Sequence, residues 1–507
     1  MTSIPILCFS KFSTHDQLLR FARAEGKKWR AKFLRQIKEK QYRLTEQREL
    51  FKIDGICALF NAANLRVAWF SDRLSEVLSL LKGYCDITAF QRIHDQVSAR
   101  FLPKADQEHG VQLPHFWMLL LELLENDFMG EEQAGQTASA QCQARFNRLT
   151  SLIVPPSLSC NFRCDYCYHR GIARSRKAQV VLTSDKVRRG IDYFLANTSV
   201  PISFSRSIRF TGGEPTLHYE LIRDALEYAT EIRLRDPRLA PFKFSMVTNA
   251  ALINDRWTEL IKKHGLLVAV SLDGRQPRND LRRKSVKGSA YLGSTAGIKR
   301  LNEAGIQPAL FITVSSHNID TLAEDVTWLF ERFQFAAFSF NLDTSFTRKY
   351  RVAPADYTLG IIKAYTELSY RGLFDLKVTR VSRRFQSKKS SVSGCGGIFS
   401  HMVLFPDGSV GPCPRLAGDA TQRMDIVEDQ ELCSSRLFRR WSKFDYFQNP
   451  RCQRCNYRNM CEGWCPYASM QLTGRISEPN EYNCLYTKTI LEWLIWLDYA
   501  RALKGEE

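Results

Sequence analysis

Residues 160–168 read CNFRCDYCY and set Cys160, Cys164 and Cys167 on one short segment. Three thiolates on one loop can hold three irons of a four-iron cluster and leave the fourth iron without a protein ligand. An open iron can bind a small molecule and hand it an electron, whereas a fully ligated cluster only relays electrons. A structural zinc site is the competing chemistry, but it wants four protein ligands. No fourth cysteine lies nearby, and His169 is the side chain placed to complete such a set. A second concentration comprises Cys395, Cys413, Cys452, Cys455, Cys461, Cys465 and Cys484, with CQRCNYRNMCEGWCP at its centre. A pair of zinc knuckles is the simplest alternative to clusters there. Cys8, Cys57, Cys85, Cys142 and Cys433 have no ligand-like spacing and read as ordinary reduced thiols.

Elements must bring these groups together, and from about residue 152 the rhythm is strand, loop, helix, repeated. LIVPPSL, SIRFTG, FKFSMVTN, LLVAVSLD, QPALFITVS and FAAFSFNLD are the strand candidates, with amphipathic helical segments between them. This order predicts a parallel sheet or barrel with its functional loops at the strand C-terminal ends. Gly212, Gly213 and Glu214 follow one strand, Thr248 and Asn249 another, and Ser271 and Asp273 a third; Arg283 comes three after Asp280. The glycines permit close backbone approach, and a carboxylate can receive an ammonium group.

The front of the chain reads differently. Residues 1–50 look helical and basic, with the dense run KKWRAKFLRQIKEKQYR. ICALFNAANLRVAWFSD suits a β-hairpin, and three helices follow: RLSEVLSLLKG, one from near Asp86 with Phe90, Ile93, Val97 and Phe101 on one face, and one carrying Phe116, Leu120, Leu123 and Leu124. That makes a winged-helix-like unit over 51–130. Residues 131–148, which include most of the Gly-, Ala- and Gln-rich stretch MGEEQAGQTASAQCQ, read as a linker. The barrel is expected over 149–345, a helix and a basic Ser-rich bridge, RVSRRFQSKKSSVSG, over 346–393, and the cysteine-rich unit over 394–507.

The chain has 507 residues, 44% hydrophobic content and a net charge of +19. It can bury large cores in about three domains. The positive charge fits an acidic partner or a solvated helix face equally well. The first residues lack a basic segment ahead of their apolar run, unlike a secretory signal. The apolar stretches FWMLLLELLENDF and ILEWLIWLDYARAL are short and interrupted by acids, which argues against a membrane span. The expectation is a cytoplasmic location in which the fifteen cysteines serve as metal ligands or thiols rather than disulfides.

CNFRCDYCY resembles the cluster loop of the radical S-adenosylmethionine (SAM) superfamily, with Cys160, Cys164 and Cys167 as ligands and Tyr166 as the aromatic residue before the last cysteine. TGGEP resembles the segment contacting the SAM amino group, which implies that role for Gly212, Gly213 and Glu214. The resemblance also places Thr248, Asn249, Ser271 and Asp273 around the ribose and methionine, and pairs Arg283 with the SAM carboxylate. The later cysteines resemble the seven-cysteine SPASM extension. By that resemblance Cys452, Cys455, Cys461 and Cys484 hold one auxiliary cluster completely, while Cys395, Cys413 and Cys465 hold another with an open position, for three 4Fe-4S clusters in all. His401 falls where some relatives have a further cysteine, but it reads better as a plain strand residue. The fold implied is α/β, a partial (β/α)6 barrel with an N-terminal winged-helix-like domain and a C-terminal SPASM domain.

The front unit resembles the peptide-recognition element of enzymes that modify ribosomally made peptides, in which a leader adds a strand to the sheet edge. The resemblances together imply a maturase of a ribosomally synthesised precursor peptide that forms a thioether or carbon-carbon cross-link after hydrogen abstraction by a 5'-deoxyadenosyl radical. A flavodoxin or ferredoxin is the implied electron donor, and no protein acid or base is assigned. Sulfatase-activating relatives are the near rival, but they carry an aspartate directly after the cysteine matching Cys413, where this chain has Pro414. A SPASM enzyme acting on a small molecule leaves the front unit unexplained. A nucleic-acid-binding iron-sulfur protein uses the charge but leaves TGGEP without a purpose.

Overall fold

The structure, a computed structural model, describes residues 203–386 without a break and, with short gaps, 27–32, 43–130, 149–201 and 395–504. Five short strands occupy the front: Arg43–Leu44 (β1), Arg48–Ile53 (β2), Ile56–Asn61 (β3), Val67–Ser71 (β4) and Met129–Gly130 (β5). β2, β3 and β4 form an antiparallel sheet in that order, and β1 pairs with β5. Period-two alternation divides the sheet between two cores. Cys57, Leu59, Ala68 and Phe70 pack with Phe90, Phe116, Trp117 and Leu120 of the front helices. Ala58, Phe60 and Val67 belong to the large core that runs through the rest of the protein. The helices are Ser75–Leu80, Ile87–Phe101 and Pro114–Glu125. Asp86 starts the second by accepting a hydrogen bond from the Ala89 amide at 2.8 Å.

One expectation is corrected here. The helical reading of residues 1–50 fails at its C-terminal end: RELFKI has good helix formers, but its pairing with ICALFN along six registered positions outweighs propensity. Met129 and Gly130, at the start of the Gly-, Ala- and Gln-rich stretch, close a ladder with Leu44 and Arg43. Residues 131–148 lie outside the described residues.

All six strand candidates of the barrel are strands: Ser151–Val154 (β6), Ser207–Phe210 (β7), Lys243–Thr248 (β8), Leu267–Ser271 (β9), Ala309–Val314 (β10) and Ala337–Leu342 (β11). They pair in parallel and in chain order. Helices Ser184–Ala196, Tyr219–Arg235, Asp255–His264, Ala290–Glu303 and Leu322–Arg332 bury Ile191, Leu226, Trp257, Ile298 and Val326 in the main core. The loops after the strands therefore gather on one side.

The sheet does not stop at six strands. His401–Leu404 (β12) lies parallel to β6, with His401 opposite Ser151, and Val410–Gly411 (β13) pairs antiparallel beyond it, giving an eight-stranded sheet. His401 is thus a strand residue. The basic bridge is also partly corrected: Leu376–Gln386 is a helix. Its buried Val378, Val381 and Phe385 form an apolar stripe at helical spacing inside a basic stretch. The chain closes with Glu481–Lys504, whose Ile490, Leu491, Leu494 and Ile495 are buried. Among the described residues, no helix is long and apolar enough to cross a membrane.

Candidate functional site

The loop after β6 is gripped from both sides. On one side TGGEP runs against it: Gly213 N–H donates to the Ser157 carbonyl at 3.0 Å and Glu214 N–H to the Ser159 carbonyl at 2.8 Å. A Cβ on Gly213 would stand 1.9 Å from the Ser159 oxygen, and Gly212 has φ +116°. Only glycine fits both positions. On the other side Arg163 N–H donates to Lys284 O at 2.6 Å, Asp165 N–H to Arg282 O at 3.1 Å and Val286 N–H to Asn161 O at 3.1 Å. Between these two flanks, Cys160, Cys164 and Cys167 line one pocket with Phe162, Gly212 and Gly213.

Glu214 organises one wall. Its Oε1 accepts from Thr216 N–H at 3.0 Å, Thr216 Oγ1 at 2.6 Å and Thr248 Oγ1 at 2.5 Å, and Oε2 accepts from Asn249 N–H at 2.8 Å. Burial pushes the carboxyl pKa up, while the donors from Asn249, Thr216 and Thr248 pull it back. Asn249 in turn donates through Nδ2 to Asn161 Oδ1 at 2.7 Å, tying the end of β8 to the cysteine loop. The chain then turns through Ala250 at φ 62°. That left-handed residue is held by the Thr248 hydroxyl, which accepts from its N–H at 2.9 Å.

Asp273 organises the opposite wall. Tyr166 donates its hydroxyl to Asp273 Oδ2, Arg283 Nε donates to the same oxygen at 2.9 Å, and Thr313 N–H donates to Oδ1 at 2.8 Å. Burial works against the Arg283 charge, but the adjoining Asp273 carboxylate outweighs it and raises the guanidinium pKa. Ser271 ends β9 opposite Phe311 and stands outside both hydrogen-bonded groups.

Arg282, its neighbour, escapes the sequence reading. It is 0% exposed and bridges Asp165 at 3.0 Å, between Cys164 and Tyr166 in the chain, to Asp343 at 2.7 Å and Ser315 Oγ at 2.7 Å. Its guanidinium lies 4.0 Å from the Tyr350 ring centroid. The only signal is the first of two adjacent arginines in LRRK, and sequence cannot say that Arg282 turns toward Asp165 and Asp343 while Arg283 turns toward Asp273.

Burial pushes the thiol pKa of Cys160 and Cys164 up to about 12. For Cys160 the nearby Glu214, Cys164 and Cys167 add to this; for Cys164 the Arg283 charge opposes it. Three such sulfurs reach the thiolate state when a cation draws off their protons. The donor set therefore fits an iron-sulfur group better than three free anions.

The later cysteines fall into two neighbourhoods. Burial raises the pKa of Cys452 to about 12, reinforced by Cys461, Cys484 and Cys455. Cys461 Sγ accepts from Thr487 Oγ1 at 3.7 Å and from Gly463 N–H at 3.3 Å. Cys395, Cys413 and Cys465 pack against Leu416, Trp441, Trp464 and Tyr467, a cluster that Cys452 also touches, so the two neighbourhoods adjoin; burial first and then Cys465 push Cys413 up to about 11. Arg415 links this neighbourhood to the first loop: it donates to Thr344 Oγ1 at 2.6 Å and lies 5.1 Å from the Tyr168 ring and 5.5 Å from that of Tyr467. Asn456, near the last cysteines, donates to Arg48 O at 3.2 Å and Glu49 Oε1 at 2.8 Å, so the front sheet rests on this region.

A parallel α/β sheet with a three-cysteine loop after its first barrel strand and a Gly-Gly-Glu turn after its second defines the class. Residues 154–329 match the Radical SAM superfamily model, so the chain carries a domain of that superfamily. The superfamily implies SAM and a 4Fe-4S cluster. Among relatives, the cysteine-type anaerobic sulfatase-maturating enzyme of Clostridium perfringens is 25% identical over 341 residues, 62% of this chain and 88% of that one. The solved structure of native anSMEcpe with bound AdoMet superposes with a TM-score of 0.59 at 20% identity, covering 69% of this chain and 99% of the other. Streptococcus suis SuiB bound to its precursor peptide SuiA superposes with a TM-score of 0.50 at 17% identity, covering 87% of this chain and 99% of the other.

Proposed function

We propose that this protein is a radical SAM enzyme that modifies a ribosomally synthesised precursor peptide, forming a thioether or carbon-carbon cross-link. Cys160, Cys164 and Cys167 hold the cluster that binds SAM. Gly212, Gly213 and Glu214 receive the methionine end, where Oε2 of Glu214 accepts only one donor among the described residues and a carboxylate oxygen can take a second. Thr248, Asn249, Ser271, Asp273 and Arg283 shape the rest of the cofactor site, with Tyr166 fixing the Asp273 carboxylate. Bound there, the cluster and SAM would supply radical hydrogen-abstraction chemistry toward the substrate. The strand-end walls exclude water and hold the target carbon. Cys452, Cys455, Cys461 and Cys484 would hold one auxiliary cluster and Cys395, Cys413 and Cys465 the other, and an auxiliary cluster would supply an electron acceptor for bond formation. A flavodoxin- or ferredoxin-like protein would supply electrons to the first site.

One observation carries the peptide reading. Both faces of the front sheet pack into cores, while β4 has β3 as its strand neighbour and no other among the described residues. A sheet in that state can take another extended chain along its edge, with main-chain hydrogen bonds for affinity and side-chain pockets for selectivity. SuiB, whose structure includes its precursor peptide, supports this reading by fold.

The sulfatase-maturating relatives favour a second reading, oxidation of a Cys or Ser in a partner enzyme to formylglycine. Pro414 stands against it at the position where such relatives have an aspartate. Co-expression with a short peptide encoded beside the gene, compared with Cys164→Ala, separates the two. A two-hydrogen loss mapped to a cross-link in the peptide and absent in the variant is the expected result. An unmodified peptide with SAM still cleaved overturns the peptide reading, and cleavage surviving Cys164→Ala overturns the radical chemistry.

A further inference from the structure

His169 lies two residues beyond the third cysteine of the loop and is 1% exposed. Neither ring nitrogen has a hydrogen-bond partner among the described residues. Its main-chain N–H is directed to the Cys167 sulfur, and its carbonyl accepts from Ile172 at 2.9 Å. The ring leans on Tyr168 with centroids 4.3 Å apart, and the residue lines the same pocket as Cys160, Cys164 and Cys167. A neutral imidazole carries one donor and one acceptor. Buried polar groups of this kind nearly always have a partner. For a ring enclosed beside three cysteines, that partner arrives with whatever the cysteines take up.

We propose that His169 is a positioning residue for the iron-sulfur group held by Cys160, Cys164 and Cys167, its ring N–H donating to a sulfur of that group; this rests on the reading of the loop as a cluster site. A sulfur is favoured over an iron because, on that reading, three irons take Cys160, Cys164 and Cys167 and the fourth is left open for SAM. A donor aimed at cluster sulfur stabilises the more negative, reduced state and raises the reduction potential. His169 thereby makes the first cluster easier to reduce.

The test compares full-length reconstituted protein with His169→Phe and His169→Gln. Iron and sulfide content, with an EPR signal that changes when SAM is added, first checks the cluster reading in the unaltered protein; absence of both overturns that reading and the proposal with it. Potentiometric titration of the SAM-responsive signal then checks His169. The expected result is at least a tenfold less favourable reduction in His169→Phe, 59 mV for one electron, largely restored in His169→Gln, whose amide can donate. An unchanged midpoint in His169→Phe with iron and sulfide retained overturns the role. If His169→Phe loses its iron, the unaltered protein decides the matter through a weak histidine nitrogen coupling to the cluster, shifted by 15N-histidine labelling and absent in His169→Gln. No such coupling, or a strong one marking a direct iron ligand, overturns the proposal.

Discussion

Replacing Arg282 with alanine should loosen the cysteine loop more than removing any exposed charge around it. The guanidinium is fully buried and spans Asp165, whose side chain is 22% exposed, and Asp343, at 6%. Without it the Asp343 carboxylate keeps, among the described residues, its bond from the Ser345 amide at 2.8 Å and remains uncompensated beside the Ser315 hydroxyl that had also served Arg282. Removing one partner of a buried pair costs about 3–5 kcal/mol, and 1.4 kcal/mol is a factor of ten. If most of that cost appears as opening of the loop, iron release to a chelator should accelerate by about 100- to 1,000-fold. Adding Asp343→Asn to Arg282→Ala should recover part of the loss, since it removes the stranded charge. Iron release within about threefold of the unaltered protein, less than 1 kcal/mol, would refute the argument that Arg282 fastens the loop to the end of β11.

Three further outcomes rest on the same geometry. Gly213→Ala should prevent stable cluster loading, because its Cβ meets the Ser159 carbonyl at 1.9 Å and neither backbone segment can yield alone; iron content after reconstitution checks this. His401 has its pKa pushed down to about 4 by burial and by Arg209. Because the folded value lies below the unfolded value of about 6.5, its contribution is intact above pH 6.5 and drains away toward pH 4. The loss reaches at most about 2 kcal/mol at pH 5, so urea midpoints should fall between pH 7.5 and 5 by less in His401→Gln than in the parent. Asn456→Ala should free the β2 backbone at a cost of about 1 kcal/mol, read as roughly fivefold faster hydrogen exchange over residues 48–53 with other strands unchanged.

The sequence is readable where a single residue type carries the information. Cysteine spacing locates the pocket because few other constraints produce it, and short apolar-rich segments alternating with amphipathic helices mark the six barrel strands, most of which bury every second residue, as in Ile208 and Phe210 or Phe244 and Met246. The partners of the marked residues are not readable. Asp273 and Arg283 both stand out, yet nothing in their spacing shows that Arg283 and Tyr166 converge on one oxygen of Asp273. Arg282 is hidden because two adjacent arginines look alike in sequence, and only the fold sends one to Asp165 and Asp343 and the other to Asp273. β2 reads as helix because pairing across the sheet, which sequence does not display, overrides the preferences of its arginine, glutamate and leucine.

The partnership of β6 with β12 bears on how the protein is made. β6 carries the first cysteine loop at its end, and its second neighbour, registered from His401 opposite Ser151, comes about 250 residues later. Until the ribosome has delivered that segment, β6 is an outer strand with one row of main-chain groups unpaired. Such edges recruit foreign strands, and pairing over so long a separation forms slowly. The nascent chain thus passes through a stage in which its metal-collecting loop stands beside an uncovered sheet margin. Chains halted before residue 401 should collect in aggregates even though every ligand of the first site has already been synthesised.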